Sequence, residues 1–292
     1  MITIVITGYK EPKTIGKAIE QVLRNKIKED YEVLVLAPDR ETLDAARKIR
    51  SRKVKTIQDA GKGKPAALNL AFKRAKGRII LMTDGDVYMS DRAIPQIIKK
   101  FDDPAVGVVS GRPVSLNDKK DMLGYWSHLL TDTAHKIRID RIKKGEMIVC
   151  SGYLYAVRKG IIPRLPEDAL SEDAVLSHLI YDKGYKTAYA PGAEVYVKYP
   201  DNFSDWIKQK KRSAGGYNQL AWMVKKKERM RSFAKESAGI FKVLSYPKTL
   251  REFFYTGLLV LARIYLWGLI FVDINVRKQS FKKVWVRIES TK

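Results

Sequence analysis

The sequence holds a single cysteine, Cys150, so no disulfide can close within the chain and no cysteine-based metal cluster can form. Cys150 ends the apolar run Met147-Ile148-Val149-Cys150 and reads as a packed core thiol, which suits a reducing compartment. Histidine is nearly as scarce. His128, His135 and His178 are scattered without metal-ligand spacing and are expected to be structural. Acidic residues are outnumbered: 32 Asp and Glu face 56 Lys and Arg, a formal net charge of +24. A balance that basic asks for a polyanionic partner, either a nucleic acid or an anionic membrane face. No charged leader precedes the apolar start Ile2-Thr3-Ile4-Val5-Ile6, so no cleavable signal peptide is expected. Internal repeats and low-complexity linkers are missing as well. What remains is 45% hydrophobic, enough for a sizeable core and far from the composition of a disordered chain.

The first half alternates short apolar runs with amphipathic ones. Strands are expected over residues 2–6, 32–36, 54–57, 78–83 and 106–110, and helices over 14–25, 40–50, 65–75 and 91–100. Alternation at these lengths predicts βαβ units and a mostly parallel sheet, an α/β fold. Pro65 suits a first helical turn, where its missing N–H costs nothing. Ligands of such sheets sit beyond the carboxyl ends of the strands, which directs attention to the loops after Ile6, Leu36, Ile57 and Thr83.

The second half reads differently. A long helix is expected over 118–138, with Met122, Leu123, Tyr125, Trp126, Leu129 and Leu130 along it, and a short one over 174–180. Another is expected over 203–227, where Phe203, Trp206, Trp222 and Met223 stand among lysines. Basic helices with an aromatic stripe lie in a membrane interface or pack on their own domain, and the pattern allows both. Residues 253–274 form the most hydrophobic stretch, and about 20 such residues can cross a bilayer. Arg263 near its middle would cost about 2.5–3.5 kcal/mol there. The stretch is therefore a spanning helix with a partnered Arg, an interfacial helix or a buried core helix, and membrane insertion is the expectation adopted. Lys242, Lys248 and Arg251 precede it and Arg277, Lys278, Lys282 and Lys283 follow, so the charge distribution leaves its orientation open.

The sharpest local feature is Ile79-Ile80-Leu81-Met82-Thr83-Asp84-Gly85-Asp86. An apolar strand ends in two carboxylates with one glycine between them. In extended geometry residues i and i+2 point the same way, so Asp84 and Asp86 can address one point. Hard divalent cations, Mn²⁺ or Mg²⁺, take oxygen ligands and share the rest of their shell with a substrate's phosphates. A solvated turn is the plain alternative. Upstream, Asp59-Ala60-Gly61-Lys62-Gly63-Lys64-Pro65-Ala66-Ala67-Leu68-Asn69 sets two glycines and two lysines before a helix N-terminus, which itself favours anions. It is no Walker loop, because the earlier glycine and the Ser or Thr after the lysine are missing.

Tyr9-Lys10-Glu11-Pro12 follows the first strand. The glycine–lysine segment, Thr83-Asp84-Gly85-Asp86, Ser151-Gly152, Ser171-Glu172-Asp173 and Gln209-Lys210-Lys211-Arg212 come after it in order, over roughly residues 1–216. Together they resemble the signature of the family 2 glycosyltransferases. The last two resemble the Thr-Glu-Asp and Gln-x-x-Arg-Trp motifs of the cellulose-synthase-like branch. The resemblance implies a GT-A fold, that is, a Rossmann-like nucleotide-diphospho-sugar transferase domain, and inversion at the anomeric carbon. It implies that Asp84 contacts the nucleotide or its ribose side and that Asp86 holds the metal between the diphosphate oxygens. It also implies that Asp173 is the general base, that Arg212 holds the departing diphosphate, and that Asp39 and Asp59 face the nucleoside. Tyr9, Glu11, Lys64, Glu172 and Gln209 are carried over as substrate-binding positions of the matching motifs. An acceptor hydroxyl is a poor nucleophile until a carboxylate begins to take its proton. A nucleoside diphosphate is a poor leaving group until metal and Arg offset its growing charge. Ser171 would also serve as a helix N-cap. Two positions depart from the pattern. Ala37-Pro38-Asp39 replaces the usual paired aspartates, and Ser213 stands where processive enzymes carry Trp.

The expectation is thus an inverting, metal-dependent hexosyltransferase with a GT-A catalytic domain over 1–200. Basic amphipathic interface helices over 201–245 and a hydrophobic membrane segment with a basic tail over 246–292 would complete it. The donor is a nucleotide-sugar, GDP-mannose before UDP-glucose. The acceptor is lipid-linked, polyprenyl or dolichyl, as in an archaeal-type mannosyltransferase of lipid-linked glycan assembly and protein glycosylation. The catalytic domain would face the cytosol at the cell membrane, with no nucleic acid bound and homo-oligomerisation open. Ser213 and the single candidate membrane segment favour transfer of one sugar over a processive polysaccharide synthase. A sugar-phosphate nucleotidyltransferase would carry a Gly-rich Arg/Lys loop where Thr7-Gly8-Tyr9-Lys10-Glu11-Pro12 stands. A non-enzymatic nucleic-acid binder would leave Asp84, Asp86 and Asp173 unexplained.

Overall fold

The computed structural model of the protein describes residues 1–223, 243–273 and 289–291. Eight strands form one sheet: β1 (Ile2–Thr7), β2 (Tyr31–Ala37), β3 (Val54–Gln58), β4 (Ile79–Asp84), β5 (Tyr88–Met89), β6 (Val106–Ser115), β7 (Leu154–Arg158) and β8 (Lys186–Val197). Their spatial order is β3-β2-β1-β4-β7-β6-β8-β5. The first four strands run parallel, as expected from the βαβ alternation. The second half is mixed instead: β7 is antiparallel to both β4 and β6, β8 is parallel to β6, and β5 is antiparallel to β8. None of β5, β7 and β8 was expected. β5 has only two residues, and Pro191-Gly192 interrupts the alternation within β8, so neither carries a clear period-two signal.

The parallel strands read as near-continuous apolar runs because both their faces are covered. Ile2, Ile4 and Ile6 of β1 point into one core with Ile15, Ile19 and Val22 of α1 (Ile15–Arg24) and with α4 (Ala93–Ile98). Val5 points the other way, into a core with Ala67, Leu68, Ala71 and Phe72 of α3 (Lys64–Arg74) and with α6 (Glu172–Asp182). Cys150 is buried in this second core, as its apolar run suggested. The short α2 (Arg40–Arg47) ends before the expected limit and is capped by Asp39, whose Oδ1 accepts the Thr42 N–H at 2.9 Å.

Three longer helices build a third core beside the sheet. These are α5 (Met122–Lys143), α7 (Phe203–Met223) and α8 (Leu250–Phe271). Trp126, Trp206, Leu259 and Ala262 meet there. Of the helix expected over 203–227, the side chains of Trp222 and Met223 and residues 224–227 lie outside the described residues. So do Lys242, Ile274, Arg277, Lys278, Lys282 and Lys283.

Candidate active site

The loops at the carboxyl ends of β1 to β4 are stitched into one floor. Gly85 N–H donates to Thr7 O at 2.8 Å, Lys10 N–H to Asp39 Oδ2 at 2.8 Å, and Asp59 N–H to Ala37 O at 3.2 Å. Lys10 takes a left-handed backbone, φ 55°, which Asp39 holds in place. Burial works to raise the Asp39 pKa, but the N–H donors of Lys10 and Thr42 outweigh it and the carboxyl ends below its ordinary range. Asp59 accepts the Gly61 N–H at 2.7 Å, and here burial wins, with Asp39 adding to it, so its pKa is raised. Gly61 and Gly63 have φ of +66° and +98°, positions that side chains resist, and Gly63 opens α3. Glu11 is buried, and its carboxylate accepts the Thr14 hydroxyl at 3.0 Å. Tyr9 stays exposed at the rim.

Lys64, in the first turn of α3, joins three elements. Its Nζ lies 2.7 Å from Asp84 Oδ1 at the end of β4 and 2.9 Å from Glu172 Oε1 at the start of α6, and it donates to Gly152 O at 3.3 Å. Burial pulls the ammonium's pKa down, yet the two carboxylates override it and hold Lys64 charged. Asp84 Oδ1 also accepts the Thr7 hydroxyl at 3.0 Å. Asp173, next to Glu172, accepts the Ala174 N–H at 2.9 Å. Burial first and Glu172 second push its carboxyl up to about 6, against the pull of Ala174, Lys64 and Gly152. A Cβ at Gly152 would stand 3.3 Å from Asp173 Oδ2 and 3.7 Å from Glu172 Oε1, so glycine there lets both acids pack on the 151–152 turn.

Ser171 does not cap α6 with its side chain as expected. Its hydroxyl is packed against α7 instead, where a Cβ at Gly216 would overlap it. That close approach seats the stretch of α7 carrying Gln209, which is buried, and Arg212, which is half-buried.

Two residues overlooked in the sequence belong here. Burial pushes the Tyr153 hydroxyl up to about 12, and the charges of Arg212, Asp86, Asp84 and Lys64 all act on it, so it marks where the motifs converge. Asn69 binds the Leu165 backbone with both ends of its amide, at 2.9 and 2.7 Å, tying α3 to the chain that leads into α6. Tyr153 directly follows Ser151-Gly152 and Asn69 ends the glycine–lysine segment. Position in a motif was the available signal, and their roles depend on residues far away in sequence.

Asp86 is half-buried and borders a cavity of about 570 Å³ with Thr14, Tyr88, Asp118, Asp121 and Asp201. Burial, then Asp86 and Glu11, raise the Tyr88 pKa. Among the described residues no group of three His, Cys, Asp or Glu could cage a metal. The extended i, i+2 geometry expected of the pair is not kept: Asp84 ends β4 with its Oδ1 on Lys64 and Thr7, and Asp86 sits in the turn beyond it at the edge of this cavity. His128 and His135 bind Asn117 O and the Tyr189 hydroxyl, both at 2.8 Å, as structural histidines would.

Residues 1–216 match the family model described as glycosyltransferase like family 2. A probable glycosyltransferase of Bacillus subtilis (strain 168) is 28% identical over 163 residues, 54% of this chain and 39% of that protein. The poly-beta-1,6-N-acetyl-D-glucosamine synthase of Staphylococcus aureus (strain COL) is 25% identical over 228 residues, 75% of this chain and 55% of the synthase. The chain thus spans about two-fifths to just over half the length of these relatives. In fold it is similar to a mannosyltransferase from Pyrobaculum calidifontis solved with GDP-Man and Mn²⁺, with a TM-score of 0.63 at 17% identity over 97% of this chain and 82% of that one. It is also similar to residues 1–349 of S. aureus TarS, with a TM-score of 0.53 at 16% identity over 94% of this chain and 81% of that one. With an α/β sheet of this order, a strand-end carboxylate pair and a family match over 1–216, the chain belongs to the family 2 glycosyltransferases.

Proposed function

We propose that this glycosyltransferase moves a single hexose, with inversion, from a nucleotide-sugar to a lipid-linked acceptor at the cytosolic face of a membrane. The observation that carries the reading is Lys64, which brings Asp84 of the donor floor and Glu172, the neighbour of Asp173, to one ammonium. GDP-mannose is the donor favoured, since the Pyrobaculum mannosyltransferase of similar fold was solved with GDP-Man, and UDP-glucose is its rival.

In this reading Asp39 and Asp59 border the nucleoside, with Tyr9 and Glu11 at the mouth, and Lys64 and Arg212 face the diphosphate. Asp173 takes the proton of the acceptor hydroxyl as its oxygen attacks the anomeric carbon, and the bond from that carbon to the diphosphate oxygen breaks. One displacement inverts the centre. Glu172 orients Lys64, and Gln209 lies on the helix that presents Arg212. Mn²⁺ or Mg²⁺, held by Asp86 with Asp84 beside it, would supply positive charge to the departing diphosphate when bound. Lys64 and Arg212 offset the same charge from the protein side. Ser213 in place of a processive enzyme's Trp supports transfer of one sugar rather than a polymer.

Calorimetric titration with GDP and with UDP, each with Mn²⁺, Mg²⁺ or EDTA, tests the reading. Binding of one nucleotide that depends on the metal is the expected result. Equal indifference to both nucleotides under every condition would remove it. Product analysis after incubation with GDP-mannose and polyprenyl phosphate then checks the acceptor class.

A further inference from the structure

The transfer chemistry leaves the outer face of α8 unused. Thr256, Leu259, Ala262, Leu266 and Ile270 recur at helical spacing and are buried on the side that packs on α5 and α7. On the opposite side Phe253, Phe254, Leu261, Ile264, Tyr265 and Phe271 are 55–64% exposed. An exposed apolar stripe this long marks an interaction surface.

The packed side runs the length of the helix. Near its start the Tyr125 hydroxyl meets Thr256 Oγ1 at 2.7 Å and Trp126 Nε1 donates to Tyr255 O at 2.7 Å. Just past its end Asp273 pairs with Lys211 of α7, beside Arg212. A helix attached at both ends cannot cross a bilayer without drawing α5 and α7 into the hydrocarbon. Asp132, Lys208 and Lys211 would go with them, and charges there are costly. Arg263 is half-buried and falls, by spacing, between Leu259 and Leu266 on the packed side, so it does not break the apolar stripe.

The covering surface is lipid rather than a second copy. Lys248 and Arg251 lead into the stripe, Lys208 stands on the adjoining α7, and the whole chain carries +24. Two such faces repel each other, while anionic headgroups attract them.

We propose that α8 lies in the plane of an anionic leaflet with this stripe sunk among the acyl chains, and that its attachment to α7 holds the catalytic mouth at a fixed height above the surface. The proposal rests on the membrane part of the function above and decides how the membrane is met: from one side, without a crossing.

The test places single cysteines, Phe253→Cys, Leu261→Cys and Phe271→Cys, in the full chain, labels them with a polarity-sensitive dye, and reads their depth in phosphatidylglycerol vesicles with lipid-borne quenchers. Cys150 is buried and stays silent. The outer probes lie about 27 Å apart along the helix axis. An in-plane helix puts all three at one depth, about 5–10 Å below the headgroups. Depths graded from one leaflet to the other would show a crossing, and probes that remain in water on bound protein would show that another surface makes contact. Either result overturns the proposal. Phe254→Glu with Ile264→Glu should lower partitioning into these vesicles about a hundredfold. Unchanged partitioning counts against it equally. GDP or UDP binding with Mn²⁺ on the same samples reads the transferase function separately, and these substitutions should leave it alone.

Discussion

At Asp173 burial and the neighbouring Glu172 act in the same direction and push the carboxyl up to about 6. A general base works only as the carboxylate, so transfer should fall as pH drops through about 6, as a kcat/KM profile would record. The same shift bears on stability. The folded-state pKa lies above the ordinary value of 3.8, so the folded protein holds the proton more tightly, and Asp173 destabilises it increasingly as pH rises from about 4 to about 6. Asp173→Asn, which keeps the contact to Ala174, should stabilise the fold by about 3 kcal/mol at pH 7 and by about 0.5 kcal/mol at pH 4. Urea unfolding at both pH values measures this. The variant should lose about 10²-fold or more in transfer while donor affinity stays within a few-fold. If donor binding collapses instead, the base must be sought elsewhere, with Glu172 first. Asp86→Ala should abolish turnover and the metal dependence of nucleotide binding together, and full activity of the parent protein in EDTA would contradict the assigned role.

Among the elements, α6 and α7 carry the catalytic candidates and are set against each other by Gly216 and Ser171. A Cβ at Gly216 has no room, so Gly216→Ala must push the helices apart and should cost about 1–3 kcal/mol. Adding Ser171→Gly removes the atoms it meets and should recover part of that loss. Thermal unfolding of the two single variants and the double reads the coupling, and strict additivity would mean that the contact does not seat α7. The first half of the sheet was legible in the sequence because near-continuous apolar strands alternate with amphipathic helices. β5 and β8 were not, since a two-residue strand and one broken by Pro191-Gly192 are fixed by their neighbours and not by local pattern.

For the whole molecule, the net charge of +24 and the apolar stripe of α8 are separable forces. Salt screens the first, worth about 1 kcal/mol for each basic residue near an anionic surface, and leaves the second intact. Cosedimentation with anionic vesicles should therefore weaken with salt without vanishing, and release should need detergent. The Phe254→Glu, Ile264→Glu protein should instead come off in salt alone. Complete release of the parent chain by salt would leave only electrostatic attachment. A nucleic acid could draw on the same charge, but the stripe gives it nothing to bind.

Chemistry that depends on neighbours in sequence could be read without a structure. Asp84, Gly85 and Asp86 close an apolar strand, Gly61 to Lys64 precede a helix, and Ser171-Glu172-Asp173 open another. The end of a strand and the start of a helix bring such residues to the carboxyl edge of the sheet, although Asp86 lies in the turn past β4 and not in the extended geometry expected of it. Contacts that join distant segments needed the tertiary structure. Lys64 was a substrate-binding position of the glycine–lysine segment until it was seen between Asp84 and Glu172, and Asn69 part of the same segment until its amide was found on Leu165. Arg263 read as an obstacle in an apolar run until the packing of α8 put its position on the covered side. Hydrophobicity alone marked residues 253–274, but only the burial of one side of α8, with the other left open, separates a helix lying along a domain from one that leaves it, because composition carries no direction.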